Sequence, residues 1–175
     1  MERVETTILS NLIFNEEYTR KVLPFICSEY FEEKTDRIVF EETSSFLEKY
    51  DKIPTKEILN IEIQKRTDLS QDEYSLATRL VDSLVLTESD YTWSLDTTET
   101  WCKERAIYLA LMESIQIADG QNSKKNPDAI PSILSDALAV GFDQHVGHDY
   151  IDDSKDRFAY YHRVENKTPF DLEYF

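Results

Sequence analysis

The chain has 175 residues, of which 41% are hydrophobic, enough for one sizeable core with an appended segment. It carries 35 acidic and 19 basic side chains, and its formal net charge is −16. Because so acidic a surface repels phosphate backbones, we expect no direct nucleic-acid binding by this chain. With only three glycines and five prolines, the composition favours long regular elements and predicts an all-α fold.

The two cysteines and the N-terminus indicate the cellular compartment. Cys27 and Cys102 are too few for a disulfide framework or a cysteine-rich metal site, and we predict that both are small buried residues. The N-terminal sequence MERVETTILSNLIF lacks the continuous apolar region of a signal peptide. No apolar run approaches the length of about 20 residues that crosses a bilayer. The sequence therefore predicts a cytoplasmic protein that does not enter a membrane.

The first part of the chain predicts a compact helical head. A first helix is expected over residues 5–14, and Asn15 is the predicted N-cap of a second. Because proline disfavours helical backbone in the residue before it, the second helix should end or kink near Leu23, ahead of Pro24. The aromatic residues of the connection Ser28-Glu29-Tyr30-Phe31 are expected to enter the core.

Three further helices complete the predicted head. Thr35 is expected to cap the third, which should end near Asp51. Its apolar face is predicted to hold Val39, Thr43, Phe46, Leu47 and Tyr50. Ile53-Pro54-Thr55 ends that segment and starts a short fourth helix. Ser70-Gln71-Asp72-Glu73 forms a capping box for the fifth, whose buried stripe is predicted to comprise Tyr74, Ala77, Leu80, Val81 and Leu84.

A long helical hairpin is predicted at about 97–141. Its first helix spans residues 97–119, with Gly120 at the position that usually ends a helix, and Pro131 opens the second. The stretch 106–112 is apolar nearly all round, so a second surface must cover it. Residues 1–142 therefore form the predicted helical domain.

The rest of the chain divides into a linker and a tail. Residues 143–166 read as a linker with one helix, roughly 154–165, which is too short to be stable alone and needs a surface to dock on. Residues 167–175 end in TPFDLEYF, which has the alternation of a strand. Since a lone strand is unstable, we expect the chain to stop where a sheet-containing domain begins.

We find no catalytic, nucleotide or metal motif in the sequence. The three glycines, at 120, 141 and 147, cannot form a phosphate loop. His145, His148 and Asp149 lie in the linker and lack a fourth fixed ligand, so they are better explained as solvated residues. Asp152, Ser154 and Asp156 resemble the start of a calcium loop, but Arg157 and Arg163 replace its required glycine and glutamate. The prediction is that this chain is not an enzyme and holds no metal or cofactor.

The order of these elements resembles the N-terminal collar and linker of DnaB-type hexameric replicative helicases, most closely the T-even-phage type. The segments that carry the resemblance are Ser28-Glu29-Tyr30-Phe31, Ile53-Pro54-Thr55-Lys56-Glu57, Glu104-Arg105-Ala106 and Val146-Gly147-His148-Asp149-Tyr150. Pro169-Phe170 resembles the entry to the RecA-like motor domain of that family. The motor itself, with its ATP and Mg²⁺ sites, is not in this sequence.

The resemblance implies that this chain is the assembly and primase-recruiting part of an ATP-dependent DNA helicase of a phage-infected bacterial cell. Its partners would be further copies of itself, from dimer to hexamer ring, the primase, and the RecA-like domain of the adjacent subunit. The linker helix would dock on that domain through Phe158, Tyr161 and Val164. Candidates for hairpin self-association are Ile107, Tyr108, Leu111, Met112, Leu134 and Leu138.

Two other classes of function compete with this interpretation. A free-standing acidic helical binding protein, such as a phage DNA mimic, would also use a charge of −16, but it should be complete and monomeric. The strand-like tail and the apolar stretch 106–112 favour the assembly module. A small enzyme has no candidate constellation of residues in this sequence.

Overall fold

The computed structural model describes residues 3–86, 90–120 and 126–142. Over these residues the chain forms seven α-helices and no strand, which confirms the all-α prediction. The helices are α1 (Val4–Phe14), α2 (Glu16–Val22), α3 (Lys34–Tyr50), α4 (Lys56–Lys65), α5 (Gln71–Ser83), α6 (Tyr91–Ala118) and α7 (Ile130–Leu138). Three short 3₁₀ segments connect them, at Leu23–Phe25, Ser28–Tyr30 and Pro127–Ala129.

Several helix ends lie where the sequence places them. The Asn15 side chain accepts a hydrogen bond from the Tyr18 N–H at 3.0 Å and caps α2. Ser70 and Glu73 form the complete capping box of α5. At Asp51 the backbone turns left-handed, with φ of 52°, and closes α3.

Three sequence predictions about the helices are wrong. Helix α3 begins at Lys34 after Glu33, so Thr35 lies inside its first turn and is not the cap. Tyr50 is exposed instead of buried, and its ring packs on Phe46 at the surface with a centroid distance of 4.5 Å. Helix α6 begins at Tyr91 instead of about residue 97, because the Asp90 carboxylate accepts the Trp93 N–H at 2.9 Å.

The core of the head is formed by buried side chains of helices α1 to α5 and of the first half of α6. Phe31 is fully buried beside Trp101, with ring centroids 5.0 Å apart, and Tyr30 meets the same indole edge-on. These contacts confirm that the aromatic residues after Ser28 enter the core. The Tyr18 hydroxyl lies 2.6 Å from that of Thr98, so a buried hydrogen bond also joins α2 to α6.

The second half of α6 pairs with α7 as a helical hairpin. Gly120 follows α6 with a φ of +71°, as predicted for the residue that ends this helix. After α7 the chain returns to the head, where the Phe142 N–H donates to the Glu99 carboxylate at 3.3 Å. The Phe142 ring packs on Phe25, with centroids 4.9 Å apart. The returning end of the hairpin is thereby fixed against the head.

Candidate interaction surface of the hairpin

An apolar stripe lies open to solvent on the second half of α6. It consists of Tyr108, Leu111, Met112 and Ile115, which are between 42 and 55% exposed. Their spacing of three, four and seven residues places them on one face of the helix. Single exposed apolar residues are common on protein surfaces, but a contiguous stripe of four is typical of an interaction site. We call these four residues the hairpin stripe.

The opposite face of α6 is built from small residues that α7 covers. Ala106, Ala110 and Ser114 recur every fourth residue and are buried, as is Ala137 on α7. Small side chains allow two helix backbones to approach closely. The buried Ser114 hydroxyl on this face donates a hydrogen bond to the Ala110 carbonyl at 2.7 Å. The apolar stretch 106–112 is therefore covered on one side only.

The six predicted self-association candidates differ in exposure. Tyr108, Leu111 and Met112 lie in the hairpin stripe, while Ile107 is only half-buried beside it. On α7, Leu134 is half-buried against the core and Leu138 is 71% exposed. Ile115 belongs to the stripe but was not among the predicted candidates. Its position three residues after Met112 and four after Leu111 is the signal that identifies it.

Arg105 fixes the start of the stripe to the head. Its side chain is nearly buried and donates from Nε to the Tyr30 carbonyl at 2.6 Å. A second donor, Nη1, reaches the Glu32 carboxylate at 2.6 Å. The guanidinium also lies 5.0 Å from the centre of the Tyr108 ring, a cation–π distance. The stripe is therefore held in a defined position relative to the 3₁₀ segment at Ser28–Tyr30.

The charges next to the stripe are mostly acidic. Both basic residues of α6 are already ion-paired, Lys103 with Glu99 and Arg105 with Glu32. Glu104 is exposed and takes part in no ion pair among the residues that the structure describes. Any partner that covers the stripe therefore meets apolar side chains within an acidic surround.

Comparison with known proteins identifies a relative. The chain is 34% identical over 173 aligned positions to a DnaB-like replicative helicase of Enterobacteria phage T4. The alignment covers 94% of this chain and 36% of the relative. The resemblance to T-even-phage DnaB-type helicases is thereby confirmed. No protein-family model matches the chain.

The match covers only part of the T4 helicase, which limits the properties that can be inferred from it for this chain. The chain spans only 36% of the length of the helicase that it matches, so the activity of the whole relative is not thereby an activity of this chain. None of the helices in the described part of the chain combines the length and hydrophobicity that crossing a bilayer requires.

The described residues do not fit the ATP and Mg²⁺ sites of a helicase motor. Within ranges 3–86, 90–120 and 126–142, no three histidine, cysteine, aspartate or glutamate side chains cluster as metal ligands. Gly120 ends a helix, whereas a phosphate loop leads into one, and Gly141 follows α7 without a helix in the described residues beyond it.

The two cysteines have different environments. Burial raises the pKa of the Cys102 thiol to about 12, so at neutral pH it is a protonated, unreactive core residue, as predicted. Cys27 is exposed, and the prediction that it is buried is wrong. It precedes the 3₁₀ segment at Ser28–Tyr30, whose aromatic side chain takes the buried position instead.

The remaining sequence predictions fall outside the described residues. They are the domain boundaries beyond Phe142, the docking residues Phe158, Tyr161 and Val164, the loose metal-ligand group His145, His148 and Asp149, and the calcium-like group Asp152, Ser154 and Asp156. These stay predictions.

Proposed function

We propose that this chain is an oligomerisation module of a DnaB-like replicative helicase and that the hairpin stripe is its self-association surface. The stripe carries the proposal, because four large apolar side chains on one helical face are left in water by the chain's own fold. Burying them against a second copy removes that apolar surface from solvent, which favours association by roughly 25 cal/mol per Å². The relative, a replicative helicase, supports this role.

Two features suit the hairpin to self-association. The contact face of α6 is free because α7 covers the opposite, small-residue face. The stripe is also pre-positioned, since Arg105 ties its first residue, Tyr108, to the head. A surface that is already ordered loses less conformational entropy on binding than a flexible one.

The test replaces an apolar side chain at the centre of the stripe with a charge. In Leu111→Asp we expect self-association to weaken at least tenfold, measured by sedimentation velocity over a concentration series. Leu76→Asp on α5 is the matched control, because Leu76 is 51% exposed and Leu111 48%. Equal association of the two variants, or a wild-type chain that stays monomeric at every concentration, would exclude the stripe as the interface.

We further propose that the module acts in the bacterial cytoplasm and recruits primase, and that residues 154–165 dock on the adjacent subunit's RecA-like domain. The sequence resemblance to the collar and linker of DnaB-type helicases supports these roles, as does the T4 relative. In this proposal the motor domain, with its ATP and Mg²⁺, does the chemistry, and this chain by itself is non-catalytic. Retention of the phage's own primase on the immobilised chain tests the recruitment, and failure to retain it would contradict that role.

A further inference from the structure

A groove between α1 and the first half of α6 lies on the head, and Glu104 at one end of it also borders the hairpin stripe. It comprises two depressions of about 310 and 240 Å³ that share Val4 and Thr97 in their walls. The buried side chains of Trp101 and Ile8 contribute to the floors of the two depressions. The groove is therefore continuous and mainly apolar at its base, with the buried polar side chains of Asn11, Ser94 and Thr98 in the smaller depression.

Trp93 forms one end of this groove and is 53% exposed. It lies in the first turn of α6, where the Asp90 cap fixes the backbone. Val4 on the facing helix is also exposed. An indole left half in water beside a second apolar side chain offers a large binding area, and tryptophan is among the residues that dominate interface energies.

The charges along the groove have one sign. Asp96 and Glu104 line it, both are exposed, and neither forms an ion pair with any residue that the structure describes. No lysine or arginine lines either depression. Three basic residues adjoin groove residues in sequence, and each is already ion-paired: Arg3 with Asp36 at 2.9 Å, Lys103 with Glu99, and Arg105 with Glu32. The groove thus combines an apolar floor with uncompensated negative charge.

We propose that this groove binds a basic segment of another protein, one that inserts a large apolar side chain flanked by lysine or arginine. Charge complementarity selects this occupant. A second copy of the chain, with a net charge of −16, complements an acidic groove less well than a basic segment does. Residues 143–175 carry eight acidic and four basic side chains, so they are also net acidic. The inference does not depend on the hairpin stripe and goes beyond the proposed self-association.

The test selects binding peptides without assuming a partner. A library of random 12-residue peptides is panned against the intact chain, and the selected peptides are synthesised with a fluorescent label. We expect them to place an aromatic or aliphatic residue next to lysine or arginine. By fluorescence anisotropy, Trp93→Ala should weaken their binding at least about tenfold. The double variant Asp96→Asn, Glu104→Gln should weaken it several-fold and flatten its salt dependence.

Tyr108→Ala is the control, because Tyr108 is as exposed as Trp93 but lies in the hairpin stripe. It should leave peptide binding unchanged. Selected peptides without basic residues, or equal binding to wild type and Trp93→Ala, would overturn the proposal. A change in the sedimentation of the chain alone in Trp93→Ala would assign the groove to a second copy instead. Intramolecular photocrosslinking to residues 143–175 from benzoylphenylalanine at position 93 would assign it to the chain itself.

Discussion

Arg105 should contribute more to stability than any other ion-paired residue on α6. In Arg105→Ala, the part-buried carbonyl of Tyr30 loses its hydrogen-bond donor, which costs about 1–3 kcal/mol. Glu32 is 64% exposed, so the lost ion pair adds no more than about 1 kcal/mol. The lost cation–π contact with Tyr108 adds about 0.5–1 kcal/mol. The free energy of unfolding should therefore fall by roughly 1.5–5 kcal/mol.

Urea denaturation followed by circular dichroism measures this loss. Lys103→Ala is the matched control, since it removes an exposed ion pair between residues four apart and should cost about 0.3–0.5 kcal/mol. Arg105→Lys should recover only part of the loss. An ammonium group lacks the planar geometry with which the guanidinium donates to the Tyr30 carbonyl and the Glu32 carboxylate together. An Arg105→Ala variant as stable as Lys103→Ala would refute this account of the joint between head and hairpin.

Two other predictions concern charge. Hydrogen bonds from Lys34 and from Ser70 lower the pKa of Glu73 from 4.5 to about 2, so its stabilising effect is present above pH 4.5 and is lost as the pH falls toward 2. Urea midpoints of wild type and Glu73→Gln should therefore differ at pH 7 and converge near pH 2; a constant difference would contradict the role of ionised Glu73. Self-association through the hairpin stripe should strengthen between 0.05 and 0.5 M NaCl, because salt screens the repulsion between copies of charge −16. Sedimentation equilibrium measures this, and association that weakens with salt would indicate that attractive ion pairs form the contact.

The structure shows why local signals predicted most helix ends but not all of them. Asn15 and Ser70 cap their helices through bonds to residues three positions on, which the sequence alone reveals. Thr35 has the right chemistry for a cap, yet α3 starts two residues earlier than a Thr35 cap would place it, and residues outside the helix contact its first turn. Arg37 donates to the Phe31 carbonyl at 2.7 Å, and Arg3 pairs with Asp36. Such contacts are invisible to a local pattern.

The start of α6 was missed for a related reason. Its first turns contain Ser94, Thr97 and Thr98, residue types that compete with helical backbone in isolated peptides. In the fold, the Thr98 hydroxyl donates to the Ser94 carbonyl at 2.7 Å and meets Tyr18 in the core. Tertiary packing therefore overrides the local preference. Most of the hairpin stripe could be predicted, because the sequence shows that the stretch 106–112 is apolar nearly all round. Only the structure shows which face of that stretch is buried and which is exposed.

One continuous helix links the two surfaces inferred here. The first half of α6 is anchored in the head by Trp101 and Cys102, and its second half carries the hairpin stripe. Because the hydrogen bonds of α6 run unbroken from Tyr91 to Ala118, the stripe cannot turn independently of the groove beside Trp93. The two surfaces nevertheless differ in chemistry, one a row of apolar side chains and the other an apolar floor with acidic residues beside it. The two proposals therefore place a like copy and a basic partner on different parts of the same helix.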